Sequence, residues 1–141
     1  MAKIRHIALK TANTRAVADF YKRTFDLVEI WQRPVENGAV YLSDGYINLA
    51  ILPNAGPDSG GVAEPEGLDH FGFAVDDVHE ASALAMRNGA TQGRTEVPRD
   101  GRFADSYVRD PIGQRVDLSD TGWATEPADR TPIHAATRGN S

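Results

Sequence analysis

The chain has 141 residues, is 40% hydrophobic and 25% charged, carries a formal charge of −5 and contains no cysteine. One domain with its own core fits that length, and the acidic balance without a Lys/Arg block excludes nucleic acid and a charged membrane surface as expected partners. Disulfides, thiolate ligands and thiol nucleophiles are excluded, no apolar run nears the ~20 residues that span a bilayer, and Met1-Ala2-Lys3-Ile4-Arg5 does not read as a signal peptide, so a cytoplasmic location is expected.

In chain order, Lys3 to Lys10 reads as a strand with Ile4, His6 and Ala8 on one face and Arg5, Ile7 and Leu9 on the other. Asn13-Thr14 offers a helix N-cap, followed by Val17, Phe20, Tyr21 and Thr24 at helical spacing. The helix should stop near Asp26, in a left-handed turn where Gly would be easier. Leu27 to Arg33 is a second strand, ended by Pro34. Asn37-Gly38 and Asp44-Gly45 read as hairpin turns, with strands Ala39 to Ser43 and Tyr46 to Leu52 after them. Residues 53–67 hold Pro53, Gly56, Pro57, Gly60, Gly61, Pro65 and Gly67 and read as a linker.

Leu68 to Val75 is the next strand, with Phe71, Phe73 and Val75 on a bulky face and Leu68, His70, Gly72 and Ala74 on a small one. The small face leaves space in front of the imidazole. Asp77 to Asn88 is a helix with Val78, Ala81, Leu84 and Ala85 inward and Gly89 closing it. Thr91 to Val97, Phe103 to Arg109 and Gln114 to Ser119 are three further strands. Residues 121–141 read as an extended or disordered tail, with Trp123 as its anchor.

Both halves thus run strand-helix-strand-strand-strand. Arg5-His6-Ile7-Ala8 matches Asp69-His70-Phe71-Gly72, Tyr41-Leu42-Ser43-Asp44-Gly45 matches Tyr107-Val108-Arg109-Asp110-Pro111, and Ile47-Asn48-Leu49 matches Val116-Asp117-Leu118. A repeat of this length indicates two copies of one supersecondary unit. The expected fold class is α+β: two βαβββ modules in tandem, 3–52 and 68–119, forming one domain over residues 1–120 with a curved mixed-sheet cup.

The face rule applied to the first and last strand of each module gives one pattern four times. His6, Asn48, His70 and Asp117 each oppose apolar neighbours. If the two sheets curve toward each other, these polar residues converge. Two imidazoles and a carboxylate are a common set for one divalent first-row metal (Fe, Mn, Zn, Ni or Co) and leave positions open for a small-molecule substrate. Singly, His6 and His70 read as hydrogen-bonded core residues and Asp117 as a solvated carboxylate. At repeat-related positions on matching faces they read as a metal site. Asn48 reads equally as a weak ligand and as a hydrogen-bonding residue behind the ligands. Tyr46 and Arg115 share faces with Asn48 and Asp117. Arg115 suits an anionic substrate group and equally a solvated surface. Arg102 and Phe103 follow Gly101 and read as an entrance loop. His79 and His134 read as bystanders.

Over residues 3–119 the chain resembles the vicinal oxygen chelate superfamily, which includes glyoxalase I, methylmalonyl-CoA epimerase, fosfomycin-resistance transferases, extradiol dioxygenases and bleomycin-binding proteins. The resemblance is carried by His6 on the first strand, His70 in Leu68-Asp69-His70-Phe71, and Tyr107-Val108-Arg109-Asp110-Pro111-Ile112-Gly113 leading to a carboxylate. It implies metal ligation from the positions of His6, Asn48, His70 and Asp117. Two departures stand out. Asp117 replaces the usual Glu and is shorter by ~1.5 Å, and Asn48 stands where glyoxalases carry Glu and epimerases Gln.

The resemblance implies three chemistries. Three protein ligands favour a non-haem Fe(II) or Mn(II) dioxygenase, with Tyr107 matching a substrate-orienting tyrosine of the extradiol motif. That motif also carries a His several residues before its Tyr, and none stands between Arg94 and Ser106. A glyoxalase-like lyase or isomerase needs a carboxylate base, which leaves only Asp117. A non-catalytic small-ligand binder of the drug-resistance type lacks the metal set that this chain carries. Many small relatives pair modules between subunits. The expectation is accordingly a homodimer in which His6 of one chain meets His70 and Asp117 of the other.

Overall fold

The computed structural model describes residues 1–56, 60–94 and 106–127. Among them, β1 (Lys3–Thr11), α1 (Thr14–Phe25), β2 (Val28–Gln32), β3 (Val40–Ser43) and β4 (Asn48–Pro53) form the first module. The second comprises β5 (Gly67–Ala74), α2 (Val78–Arg87), β6 (Gln92–Arg94), β7 (Ser106–Arg109) and β8 (Arg115–Ser119). The expected α+β class and the twofold βαβββ order are both observed. Two compact units divide the chain inside β1 and β5. One holds Met1–His6 with His70–Trp123, and the other Ile7–Asp69 with the chain from Ala124.

In the unit containing Ile7–Asp69, β2, β3 and β4 pair antiparallel in sequence order. The α1 helix starts where the Asn13 side chain accepts from the Ala16 N–H at 3.1 Å, and ends at Asp26 in the left-handed conformation the sequence predicts. Ala18, Val17 and Tyr21 pack on Val40, Leu42 and Ile51. Phe20, one of the residues at helical spacing, is exposed and meets Tyr21 edge to face. The 3.6-residue period carries Thr14 and Ala18 to the buried side and leaves Phe20 off it. Behind β3, Tyr41 joins Ala8, Ile30, Ala39, Ala50, Leu52 and Ala124 in a second cluster. Both faces of β3 are therefore buried.

Two turns differ from the sequence expectation. β2 and β3 are last paired at Gln32 and Val40, so residues 33–39 form a long loop in place of a two-residue turn. The loop is drawn onto the start of α1. The Thr14 N–H donates to Asn37 Oδ1 at 2.8 Å, the Thr14 hydroxyl to the Gly38 carbonyl at 2.7 Å, and Arg15 reaches three loop carbonyls. Gly38 is required there, since a Cβ would lie 2.5 Å from the Arg33 carbonyl oxygen. The β3–β4 connection takes four residues because Asp44 Oδ1 accepts from both the Tyr46 and Ile47 N–H groups. Tyr46 thus lies in the turn, and β4 begins at Asn48.

The linker residues that are described fold back on this unit. Asn54 exchanges hydrogen bonds with Glu64, Glu64 pairs with Lys10, and Glu66 accepts from the Thr11 hydroxyl and the Ala12 N–H.

In the unit containing His70–Trp123, β5 pairs parallel with β8, and β8–β7–β6 continue antiparallel. This gives a mixed sheet. Asp77 caps α2 by accepting from the Glu80 N–H. Val78, Ala81 and Ala85 pack with Phe71 and Phe73 of β5, with Val75 just after it, and with Val108, Val116 and Leu118. Leu84, expected inward, is exposed, one position off that apolar stripe. β6 begins at Gln92, one residue later than expected, and β7 begins at Ser106. Residues 95–97, Arg102, Phe103 and His134 lie outside the described residues.

Candidate metal centre

The alternation of β5 puts Phe71 and Phe73 in the core and His70 and Gly72 on the opposite face. The parallel register pairs Gly72 with Asp117 and Phe71 with Val116. Asp117 therefore stands on the His70 face while Val116 and Leu118 complete the core. His6, at the end of the β1 segment in this unit, brings the third group. All three are buried, at 5%, 8% and 6% exposure for His6, His70 and Asp117.

His6 Nε2 lies 3.2 Å from His70 Nε2, and His70 Nε2 lies 3.2 Å from Asp117 Oδ2. Both facing ring nitrogens cannot carry a proton at that separation, so at least one presents its lone pair. Ligand bonds of about 2.1 Å at right angles place neighbouring donor atoms about 3 Å apart. The observed spacings fit, and the two-nitrogen, one-carboxylate set suits a divalent first-row metal. Among the described residues this is the one group of three His or carboxylate side chains whose ligand atoms all lie within 4.8 Å of one another. The three belong to one chain. Within a single chain His6 already stands beside His70 and Asp117.

The Asp117 carboxylate is held from both sides. Arg115 Nε donates to Oδ1 at 2.7 Å, leaving Oδ2 toward His70. Burial pushes its pKa up, but the hydrogen bond and charge of His70 and those of Arg115 outweigh burial and hold it below the ordinary aspartate value. The Arg115 guanidinium also lies 4.6 Å from the Tyr107 ring centre, and Tyr107 is the cross-strand partner of Asp117. Of the residues expected to meet substrate, Arg115 is thus engaged with Asp117 and Tyr107 stands beside it.

The other expected site residues fall in the other unit or outside the described residues. Asn48 belongs to the other unit, fully buried, where its Nδ2 donates to the Ala124 carbonyl at 2.8 Å. Tyr46 lies in the 44–47 turn with 47% of its surface exposed. Phe103 is outside the described residues.

One site residue carried no functional reading in the sequence. Trp123 stacks on His6 with ring centres 4.7 Å apart and planes 5° from parallel. The signal was present in two pieces: the bare face at Gly72, and an aromatic directly after Gly122 at the end of the last strand. Nothing in the sequence says that one fills the other.

The chain belongs to the Glyoxalase/Bleomycin resistance protein/Dioxygenase superfamily, whose sequence profile matches residues 3–118. A probable chloroplastic lactoylglutathione lyase of Arabidopsis thaliana is 29% identical over 85 residues, 60% of this chain. That stretch spans 24% of the plant protein's length. The 2,3-dioxygenase LapB of Pseudomonas sp. KL28 shares the fold at a TM-score of 0.62 and 18% identity, over 92% of this chain and 44% of that one. The methylmalonyl-CoA epimerase of Streptomyces coelicolor does so at 0.60 and 21%, over 82% of this chain and 94% of that one. No helix among the described residues is long and apolar enough to cross a membrane.

Proposed function

We propose that the protein is a metal-dependent enzyme that binds adjacent oxygens of a small molecule at His6, His70 and Asp117, with non-haem Fe(II) or Mn(II) dioxygenase chemistry. One observation carries the choice of reaction. The single carboxylate of the set has Oδ1 taken by the Arg115 Nε–H at 2.7 Å and Oδ2 facing His70 Nε2 at 3.2 Å. It is a weak proton acceptor but a good anionic ligand, and Asn48 supplies no base in its place. When bound, divalent Fe or Mn supplies Lewis acidity and open positions for substrate oxygens and O2. Arg115 fixes one Asp117 oxygen so that the other stays turned to His70, and Tyr107 flanks the carboxylate on the same face.

A lyase or isomerase acting beside a carbonyl is the second reading. The 29% identity to a lactoylglutathione lyase supports it, and the engagement of both Asp117 oxygens, by Arg115 and His70, weighs against it.

Metal analysis of protein purified without added metal, followed by O2 uptake with a panel of vicinal diols and catechols, separates the two. The expected result is about one Fe or Mn per chain and O2 consumption dependent on substrate. Zn or Ni without O2 uptake, together with proton exchange beside a substrate carbonyl, would replace the dioxygenase reading. No binding of Fe(II), Mn(II), Co(II), Ni(II) or Zn(II) by calorimetry would remove both.

A further inference from the structure

The chain beyond β8 does not simply leave the domain. The Ser119 hydroxyl accepts from the Gly122 N–H at 2.9 Å and from the Thr121 N–H at 3.3 Å, and Gly122 takes a left-handed φ of 71°. This tight turn reverses the chain and sends Trp123 back over the face of β5 that bears His70. Its seat is Gly72. A Cβ there would lie 2.7 Å and 3.0 Å from two carbons of the indole and 3.2 Å from the His6 Cβ. Gly72 has no need of glycine for its backbone, since its φ is not in the left-handed region. What it provides is room, and the indole fills it, lying parallel to the His6 ring.

We infer that Trp123 is the positioning residue for His6. The imidazole pivots about its Cα–Cβ and Cβ–Cγ bonds, and its second torsion is broad unless neighbours confine it. A flat indole at stacking distance confines that torsion, so that Nε2 stays directed at His70 Nε2. Gly72, Trp123 and the Ser119–Gly122 turn therefore act through His6 rather than on substrate. The inference rests on the metal-site reading above, which assigns His6 its ligand role.

Two measurements test it. In metal-free protein, the His6 ring protons should resonate upfield of their positions in Trp123→Leu, because a parallel indole shifts protons over its face. By calorimetry with Zn(II), Trp123→Leu and Gly72→Ala should each bind about tenfold more weakly than the parent, whereas Trp123→Phe, which keeps a stacking ring, should stay within about threefold. An absent ring-current shift overturns the inference. So does a folded Trp123→Leu protein that melts earlier but binds Zn(II) as tightly as the parent, since a merely structural tryptophan would behave that way. If Gly72→Ala fails to fold, the Leu and Phe variants decide alone. A parent that binds no metal overturns the site reading and this inference with it. Tight binding that is indifferent to residue 123 overturns only this one.

Discussion

At equivalent places in the repeat, the fourth strand of the first module carries Asn48 and that of the second carries Asp117. The Asn48 amide is fully buried and donates to a main-chain carbonyl. The Asp117 carboxylate is gripped by Arg115 and faces an imidazole. The cores differ in the same sense. Ala8, Val40, Leu42, Ala50 and Ile51 of the first module are 0% exposed, whereas Val78, Val108, Val116 and Leu118 of the second each keep 7%. Duplication supplied two copies of one topology. Apart from His6 on β1, the first copy uses its strand positions for packing, whereas the second keeps a polar face. That face is possible because Gly72 and the polar pair His70 and Asp117 replace bulk on one side of β5 and β8 while Phe71 and Phe73 keep the other side apolar.

The sharpest test of this division is His70→Ala, which should abolish stoichiometric metal binding while the protein remains folded, read by calorimetry and circular dichroism. Binding equal to the parent would show that the polar face of the second module holds no metal. The same variant tests whether the sites are shared between subunits, as expected from the sequence. Mixed with His6→Ala under subunit exchange, it should recover no binding even where mixed dimers are shown to form, because the three side chains meet within one chain. Recovery would show sites shared between subunits.

Next in size are the cores. Leu42→Ala, under α1 on a strand buried on both faces, should cost about 3–5 kcal/mol by denaturant unfolding. Leu118→Ala, in the looser cluster, should cost about 2–3 kcal/mol. Equal losses would erase the contrast in packing.

Asn48→Ala should act on stability and leave the site alone. Leaving the Ala124 carbonyl without its buried donor costs about 1–3 kcal/mol, and metal affinity should fall far less than in His70→Ala. A loss of binding matching that of His70→Ala would give Asn48 a full ligand's role.

The smallest effect is expected at the 44–47 turn. Hydrogen bonds from the Ile47 and Tyr46 N–H groups hold the Asp44 carboxyl below its ordinary value. A lowered folded value means that the stabilisation is complete above the unfolded aspartate value of about 3.9 and is lost as pH falls through the folded one. The difference in melting temperature between the parent and Asp44→Ala should therefore shrink as pH is taken from about 6 to below 3. A constant difference would show that the charge of Asp44 contributes nothing there.

The sequence by itself determined the order of elements, the duplication and the common face of His6, His70 and Asp117, the three side chains that come together. Each follows from a local rule: Asn13 and Asp77 cap helices through their own neighbours, and strand alternation assigns every residue a face whatever lies across it. Tertiary structure decided the rest. Asn37-Gly38 carries a strong signal for a two-residue hairpin, yet Thr14 and Arg15, more than twenty residues away in sequence, pull the loop open. Arg115 could not be told from a solvated surface residue until β7 and β8 brought Tyr107 beside it and its own Asp117 turned to meet it. Trp123 read as the anchor of a tail until a turn at Gly122 laid it over Gly72 and His6. A face is set by backbone geometry within a few residues. What fills the space in front of that face is set by segments distant in the chain, and only the folded structure brings them there.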